Sequence, residues 1–561
     1  MTTKHRAVFS VVFGFIVLIS NKPLLAATSS SAVAASQQLT SQAEKFREEQ
    51  KKKPLEPEEK PLIIQEKERQ APEKIEGPRF TVTKIKLEGN TVLSSESFEK
   101  LIAPYQNKET SFEELTAVAE KITDAYIAAG HSTSQAFIPP QKLEDGVATI
   151  KIMEGKVGTV RVEGNHYYRK EVYEDAIRLR TDRVFSYQDL ESSLYYLNQK
   201  PGVKAKGYIV PGEKPETSDI VLKTEETYPL HVYYGFNNRG TRLTHRQRHE
   251  AHFDNDNLLG YGDTLNTAFS MAEEGAFNAG FVSYEFPIES TGTTLNLDTS
   301  YVESRLIGDL ESEKIVGKNF SVFPSVTQNL VRSLKFVLDW FLGFDFTDSK
   351  TLQDGTKINF DRMRVLKTGP RMTFQDPGGR TLLSGDVDWG VPASSGGDFV
   401  YYTASLARIQ RLPASMYLIL RTNGQWTDDT LTSVEEFRAG GAYSVRGYPE
   451  SDAVGDYGYN LSAELNTPVP FLPNDREIPH AKKKVGDAVR MVVFVDGAKT
   501  TFRERTSETS VKDSFLLGAG LGVRVNLAEN IALQLDFGWP IGDDSSEKNR
   551  IQTHIALKAG F

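Results

Sequence analysis

The stretch IALQLDFGW sets Ile531, Leu533, Leu535, Phe537 and Trp539 at alternate positions, with Ala532, Gln534, Asp536 and Gly538 between them. A period of two is that of a β-strand, because successive side chains leave opposite faces of the backbone. AGLGVRVNL repeats the device, with Ala519, Leu521, Val523, Val525 and Leu527 against Gly520, Gly522, Arg524 and Asn526. RIQTHIALKAGF sets Ile551, Thr553, Ile555, Leu557, Ala559 and Phe561 against Arg550, Gln552, His554 and Lys558. A soluble sandwich alternates too. Here, however, the apolar faces are long and end in aromatic residues, and the opposite faces carry Arg, Asp and Gln beside Gly. That combination predicts a transmembrane barrel, apolar towards lipid and polar towards the lumen, closed so that no edge is left unpaired. Residues 228–561 suit about 16 tilted antiparallel strands with their turns. Pro is expected where strands exit, as in YEFPIES (284–290) and FGWPIGDD (537–544).

The other end of the chain points to export. Lys4 and Arg6 precede an apolar run from Ala7 to Ile19, and LLAA (24–27) offers small residues for cleavage. Residues 1–27 therefore read as a secretory signal peptide, too short for a comfortable helical span. Residues 28–78 change character. They begin as a possible polar helix and dissolve into a Pro, Glu and Lys linker. Leu39, Ala43 and Phe46 fall at helical spacing, so both a solvated spacer and a plug helix fit residues 36–50. The chain has no Cys, which removes disulfides, thiol nucleophiles and thiolate metal sites. Its net charge of −9 argues against nucleic acid as the main partner.

Between linker and barrel lies an internal repeat. IKLEGNTVLSSESFEKLI from Ile85 is answered by VRVEGNHYYRKEVYEDAI from Val160, each a strand, a Glu-Gly-Asn turn and a helix. A second amphipathic stretch follows in each copy, Ser111 to Gly130 and Ser186 to Gly202, opening on Ser and closing on Gly as helix caps do. Both copies then return to strands. The repeat predicts two β-α-α-β-β units, over 79–155 and 156–227, so the fold class is α+β domains followed by an all-β barrel.

One barrel segment breaks the rhythm. EEFRAGGAYSVRGYPESDAVGDYGYN (435–460) is a long loop between two strand patterns, with Gly440, Gly441 and Gly447 for tight turns. In RMVVFVDGA, Met491, Val493 and Val495 take the apolar face, so Phe494 and Asp496 point into the lumen. A guanidinium is a planar donor suited to a carboxylate. An Arg446–Asp496 pair would pin the loop inside the barrel as a removable plug, with Tyr448 as a stacking body.

These motifs resemble the TpsB transporters of two-partner secretion: signal peptide, linker, two POTRA domains, barrel and a Val445-Arg446-Gly447-Tyr448 loop. AYIAAGHSTSQAFIPPQKLEDGVATIKIMEGKV (125–157) looks like the end of a first POTRA domain, and NNRGTRL (237–243) with DNLLGYGDTL (256–265) like a first barrel hairpin. The family's lumenal Phe-x-Asp-x-Gly motif reads Phe494-Val495-Asp496-Gly497-Ala498 here, so its last Gly is Ala. The resemblance implies a protein of a Gram-negative outer membrane, its POTRA domains in the periplasm. It implies export of a large, mostly β-helical partner (an adhesin, haemolysin or contact-dependent toxin) without nucleotide or other cofactor, driven by folding of the cargo outside. Capture would use a POTRA strand edge. Contacts with membrane lipid are implied as well, and Phe561 resembles the signal read by the barrel-assembly machinery.

Two other readings belong beside it. A POTRA-barrel assembly factor, inserting other outer-membrane proteins, would share the repeat and the loop, but such factors usually carry more POTRA copies and lack the Pro-rich extension. An enzyme would need a motif, and G-x-S-x-G, H-E-x-x-H and P-loop patterns do not occur. His245, His249 and His252 would converge on a helix, but on a strand His252 faces away from the other two, so no metal site is expected. DNDNLLG (254–260) lacks the Gly and closing Glu of a calcium loop and reads as a turn.

Overall fold

The computed structural model describes residues 63–65 and 79–560, apart from 178, 289–290, 334, 396, 480, 482, 504–512, 529–530, 543–545 and 547–550. The proposed signal peptide, the candidate plug helix at 36–50 and Phe561 lie outside the described residues.

The first α+β unit holds β2 (Phe80–Val82), β3 (Lys84–Glu88), α1 (Glu99–Ile102), β4 (Lys108–Thr110), α2 (Phe112–Ala128), β5 (Gln135–Phe137) and β6 (Val147–Met153). The second holds β7 (Lys156–Glu163), α3 (Lys170–Ala176), α4 (Tyr187–Leu197), β8 (Val203–Pro211) and β9 (Thr217–Glu226). Helix α2 begins where its sequence says, since Ser111 and Glu114 form a reciprocal capping box. Its buried stripe of Leu115, Val118, Ala119, Ile122 and Tyr126 packs on Ile85, Ile150 and Ile152 of the sheet. Helix α4 stops at Leu197, short of the Gly202 that the sequence offered as its end. Asn198 supplies the reason: its side chain holds both the N–H and the carbonyl of Ala205, at 2.6 and 3.1 Å, turning the chain into β8.

The repeat is a repeat of one device. Gly89 and Gly164, the glycines of the two Glu-Gly-Asn turns, have φ of +93° and +87°, and a β-carbon on either would stand 2.2 Å from a backbone oxygen. Each turn then donates its N–H groups to a carboxylate from the unit's final strands. Glu154 accepts from the N–H groups of Thr91 and Val92 at 2.7 and 2.9 Å and from the Tyr126 hydroxyl at 2.7 Å. Glu226 does the same for His166, Tyr167 and the Tyr173 hydroxyl, at 2.8, 2.5 and 2.5 Å. Burial pushes the Glu154 carboxyl up, but these hydrogen bonds outweigh it and hold the group below the ordinary carboxylate range. Burial beside the carboxylates pushes both tyrosine hydroxyls far up.

An unforeseen strand joins the second unit. β1 (Ile63–Gln65) runs parallel to β8, with Ile63, Ile64 and Gln65 opposite Gly207, Tyr208 and Ile209, giving the order β1-β8-β9-β7. The linker thus closes a sheet edge that the sequence reading left open for a partner. The first unit's sheet, β3-β6-β5, ends on β5, where Phe137 is exposed.

The barrel has sixteen strands, each antiparallel to its neighbours, closed by β10 against β29. In chain order they are β10 (Leu230–Asn237), β11 (Arg248–Asn255), β12 (Thr264–Met271), β13 (Phe277–Ile288), β14 (Thr293–Arg305) and β15 (Ile315–Arg332). There follow β16 (Phe336–Gln353), β17 (Thr356–Asp376), β18 (Gly379–Gly390), β19 (Phe399–Arg411) and β20 (Tyr417–Thr427). After short strands β21 (Phe437–Ala439) and β22 (Ala453–Gly455) come β23 (Tyr457–Pro468), the pair β24 (Glu477–Ile478) and β25 (Lys483–Lys484), and α5 (Val485–Ala488). β26 (Val489–Thr501), β27 (Ser514–Ala528), β28 (Ile531–Pro540) and β29 (Gln552–Gly560) finish the wall.

The chain's four tryptophans, Trp340, Trp389, Trp426 and Trp539, all face outward and stay exposed. The last three lie within a residue or so of the strand ends far from the α+β units, and Trp340 lies towards the near end. This is the aromatic placement of a membrane wall, with its polar side chains turned in. Two prolines depart from the expectation that Pro marks strand exits. Pro324 in β15 and Pro370 in β17 sit inside strands, and the ladder to the next strand skips 323–324 and 369–370, where a missing N–H leaves no bond to make.

The second unit is mounted on the barrel's near end. Arg169 donates to the Leu259 carbonyl at 3.2 Å and stacks over Tyr261, while Arg332, the last residue of β15, stacks over Tyr196 at 3.5 Å. DNDNLLG accordingly ends β11 with Asp254 and Asn255, and its residues 256–260 form part of the β11–β12 turn. The three clustered histidines do not converge: His245 ends a turn, His249 meets Tyr234 and His252 stacks on Tyr233.

Candidate functional site

β20 ends at Thr427 and β23 begins at Tyr457, so the long loop runs 428–456, and residues 457–460, read from sequence as loop, belong to the wall. The loop leaves the far end of the barrel and folds back into the lumen. β21 and β22 pair to make its neck, and Gly440 and Gly441, with φ of +105° and +96°, turn the chain at its base. At the tip Val445, Arg446 and Tyr448 are buried.

Phe494 and Asp496 stand on the lumenal face of β26, as the alternation of that strand predicts, and both are buried there. Arg446 grips Asp496 in a fork, Nε donating to Oδ2 at 2.8 Å and Nη2 to Oδ1 at 3.0 Å. The backbone N–H of Arg446 adds a third bond to the same carboxylate at 3.1 Å. The guanidinium lies 3.5 Å from the centre of the Phe494 ring. Planarity and donor geometry make Arg the residue for such a site, and Lys could not reproduce both the fork and the stack.

The site is larger than the pair that sequence suggested. Glu464 on β23 accepts from Arg446 Nη1 at 2.5 Å, and Arg524 on β27 reaches Glu464 at 3.4 Å. Arg524 also grips Asp536 on β28, at 2.5 and 3.1 Å, and Asp536 stands 3.9 Å from Arg446. Two arginines and three carboxylates from one loop and four strands thus share a buried network. Such groups are costly to bury singly and stable only when every donor and acceptor is met. Arg524 and Asp536 were already on lumenal faces by parity, whereas Glu464 carried no signal beyond its own strand's alternation.

Glycines and one alanine shape the cradle. A β-carbon on Gly520 would stand 2.3 Å from the Phe494 ring, and one on Gly447 would stand 2.8 Å from the backbone of β28. Tyr448 is wholly buried, packed with Val445, Phe437, Leu516 and Ala498. Ala498, which stands where the family motif has Gly, is therefore a contact of the loop tip.

Comparison with known proteins adds the family context. Residues 216–525 match the family described as haemolysin secretion/activation protein ShlB/FhaC/HecB, and residues 80–155 match the ShlB-type POTRA domain. The heme/hemopexin transporter protein HuxB of Haemophilus influenzae is 22% identical over 87% of this chain and 88% of its own. The solved structure of CdiB from Escherichia coli superposes with a TM-score of 0.71 at 21% identity, over 96% of this chain and all of that one. BamA from Haemophilus ducreyi, lacking POTRA domains 1–3, is more distant, at TM-score 0.51 and 15% identity over 86% of this chain.

Proposed function

The chain belongs to the haemolysin secretion/activation family ShlB/FhaC/HecB, and from that premise we propose that its inward loop is the stopper of a protein-export channel. As a member of that family it is an outer-membrane transporter that passes a secreted partner protein outward, with its POTRA units in the periplasm. The observation that carries the stopper reading is the buried fork between Arg446 and Asp496, which ties the loop to the lumenal wall. Val445, Gly447, Tyr448 and Phe494 seat the arginine. Release of this network clears the lumen, and its re-formation closes the channel after transport.

The partner is a large secreted protein that arrives unfolded. Its mostly β-helical character, whether adhesin, haemolysin or toxin, fits capture by strand addition, since backbone pairing accepts many sequences. We place this capture at β5, an end strand of the first unit's sheet where Phe137 is exposed, while β1 covers the β8 edge of the second. Lipid meets the outward tryptophan-bearing wall, and Phe561 is the proposed mark for the barrel-assembly machinery. The experiment compares proteins in the culture medium of cells with and without this chain. Loss of one large protein, with the outer-membrane protein profile unchanged, supports export. Loss of several outer-membrane barrels at once overturns it in favour of the assembly factor.

A further inference from the structure

The loop touches the wall in a second place. Its entering stem, residues 429–436, lies against the lumenal face of β17 and β19, where Met363, Val365, Phe399 and Tyr401 form an apolar patch. Leu431 and Val434 of the stem cover that patch, and all six are buried. Immediately beside it Glu435, 7% exposed, accepts a hydrogen bond from the Tyr401 hydroxyl, and its carboxylate stands 3.8 Å from Lys367 Nζ. Lys367 also donates to the Tyr401 hydroxyl at 3.1 Å and lies 3.9 Å from both Asp345 and Asp388. One lysine therefore gathers carboxylates from β16, β18 and the loop. This cluster lies on β16–β19, whereas the Arg446 network lies on β23–β28, with β20 between them.

We propose that Glu435, Lys367 and Tyr401 are a second, independent anchor of the loop, so that the channel opens fully only when stem and tip are both released. The proposal rests on reading the loop as a stopper. The chemistry suits a latch: the buried Glu435 carboxylate takes a charge-assisted hydrogen bond from the Tyr401 hydroxyl beside the half-buried Lys367 ammonium, and the patch beneath gives the stem an apolar seat without covalent attachment. Glu435 and Lys367 are positioning residues, acting on the lumen through the loop they hold.

The test is single-channel conductance of the purified full-length protein in planar bilayers. Variants are Arg446→Ala, Glu435→Gln, Glu435→Asp, Lys367→Met and the double Arg446→Ala/Glu435→Gln. Glu435→Gln and Lys367→Met are each expected to raise the open-to-closed ratio about tenfold, the effect of weakening one charged contact, and Arg446→Ala to raise it about a hundredfold or more, since it strands a buried charge. The double variant rises well beyond either single, and Glu435→Asp, which keeps the charge, stays closer to wild type than Glu435→Gln, which a merely structural lesion would not do. Thr432 and Met363 touch at 3.4 Å in a chain without cysteine. Thr432→Cys/Met363→Cys, oxidised in the double variant, is expected to bring conductance back to the Arg446→Ala level. If Glu435→Gln behaves as wild type in both backgrounds, or the oxidised pair changes nothing, the second anchor is overturned. If Arg446→Ala itself conducts as wild type, it is the stopper reading that fails.

Discussion

Gly538 stands directly beneath the carbonyl of Arg446: a β-carbon on that glycine would lie 1.3 Å from the oxygen, well inside contact distance. The wall strand is thus cut away at the point where the loop tip presses on it. Gly497, next to Asp496, has no such constraint, with nothing closer than 3.7 Å to its missing β-carbon.

Gly538→Ala is therefore expected to unseat the loop while Gly497→Ala leaves it in place. Both proteins should retain the heat-resistant compact migration of a folded barrel. Limited proteolysis from the outer face should then cut within 428–456 in the first variant alone. Equal resistance in both would remove the steric argument.

Arg446→Ala and Asp496→Ala should resemble each other. Breaking a buried pair by removing one partner costs about 3–5 kcal/mol, because the other charge is stranded. Small, rarely opening wild-type currents in planar bilayers should become frequent openings in both variants. Glu464→Gln should give a milder change, since Asp496 keeps its fork on the arginine.

The first POTRA unit carries a pH dependence that the barrel lock does not govern. Glu154 has a folded-state pKa below its unfolded one, so its stabilisation is complete above the unfolded value, about 4.3, and is lost as pH falls through the lower folded value. Hydrogen exchange of the Thr91 and Val92 amides in the full chain should show protection at neutral pH that fades below this range. Glu154→Gln should flatten that profile.

Pairing of β1 with β8 has its own signature. Ile64→Pro removes a backbone donor from a three-residue strand and fixes its φ, so the short pairing should be lost. Exchange at Gly207, Tyr208 and Ile209 should then rise, with the β9 side of the same sheet unchanged. Unaltered exchange across β8 would mean that the linker strand adds nothing to the edge.

Much of this was readable from residue order. The period of two in Ile531–Trp539 and Leu521–Leu527 gave the barrel and the side on which Asp536 and Arg524 stand, and that in Met491–Val495 the side of Asp496. The Glu-Gly-Asn turns gave the repeat, because only glycine tolerates that backbone so close to a neighbouring strand. Three features were not readable. β1 is three residues long and pairs with a strand some 140 positions on, and no local periodicity encodes that partner. The end of α4 was set by Asn198 reaching Ala205, a side-chain choice that pre-empted the glycine signal. The apolar patch of Met363, Val365, Phe399 and Tyr401 faces the lumen, against the rule that such residues face lipid, because the loop stem covers it.

The closing pair of the barrel has a consequence in time. β10 meets β29 through Tyr233–Asn237 and Ala556–Gly560, residues more than 300 positions apart, while every other wall strand finds its neighbour nearby in sequence. Hairpins can zip locally and fast, but the ring cannot complete until its final strand has crossed back to the first, the slowest kind of contact for a chain to find. Until then two strand edges stand open at membrane depth, where water cannot satisfy them. The unfinished barrel is therefore its most vulnerable form, and the last pairing to form is also the one that leaves no edge exposed.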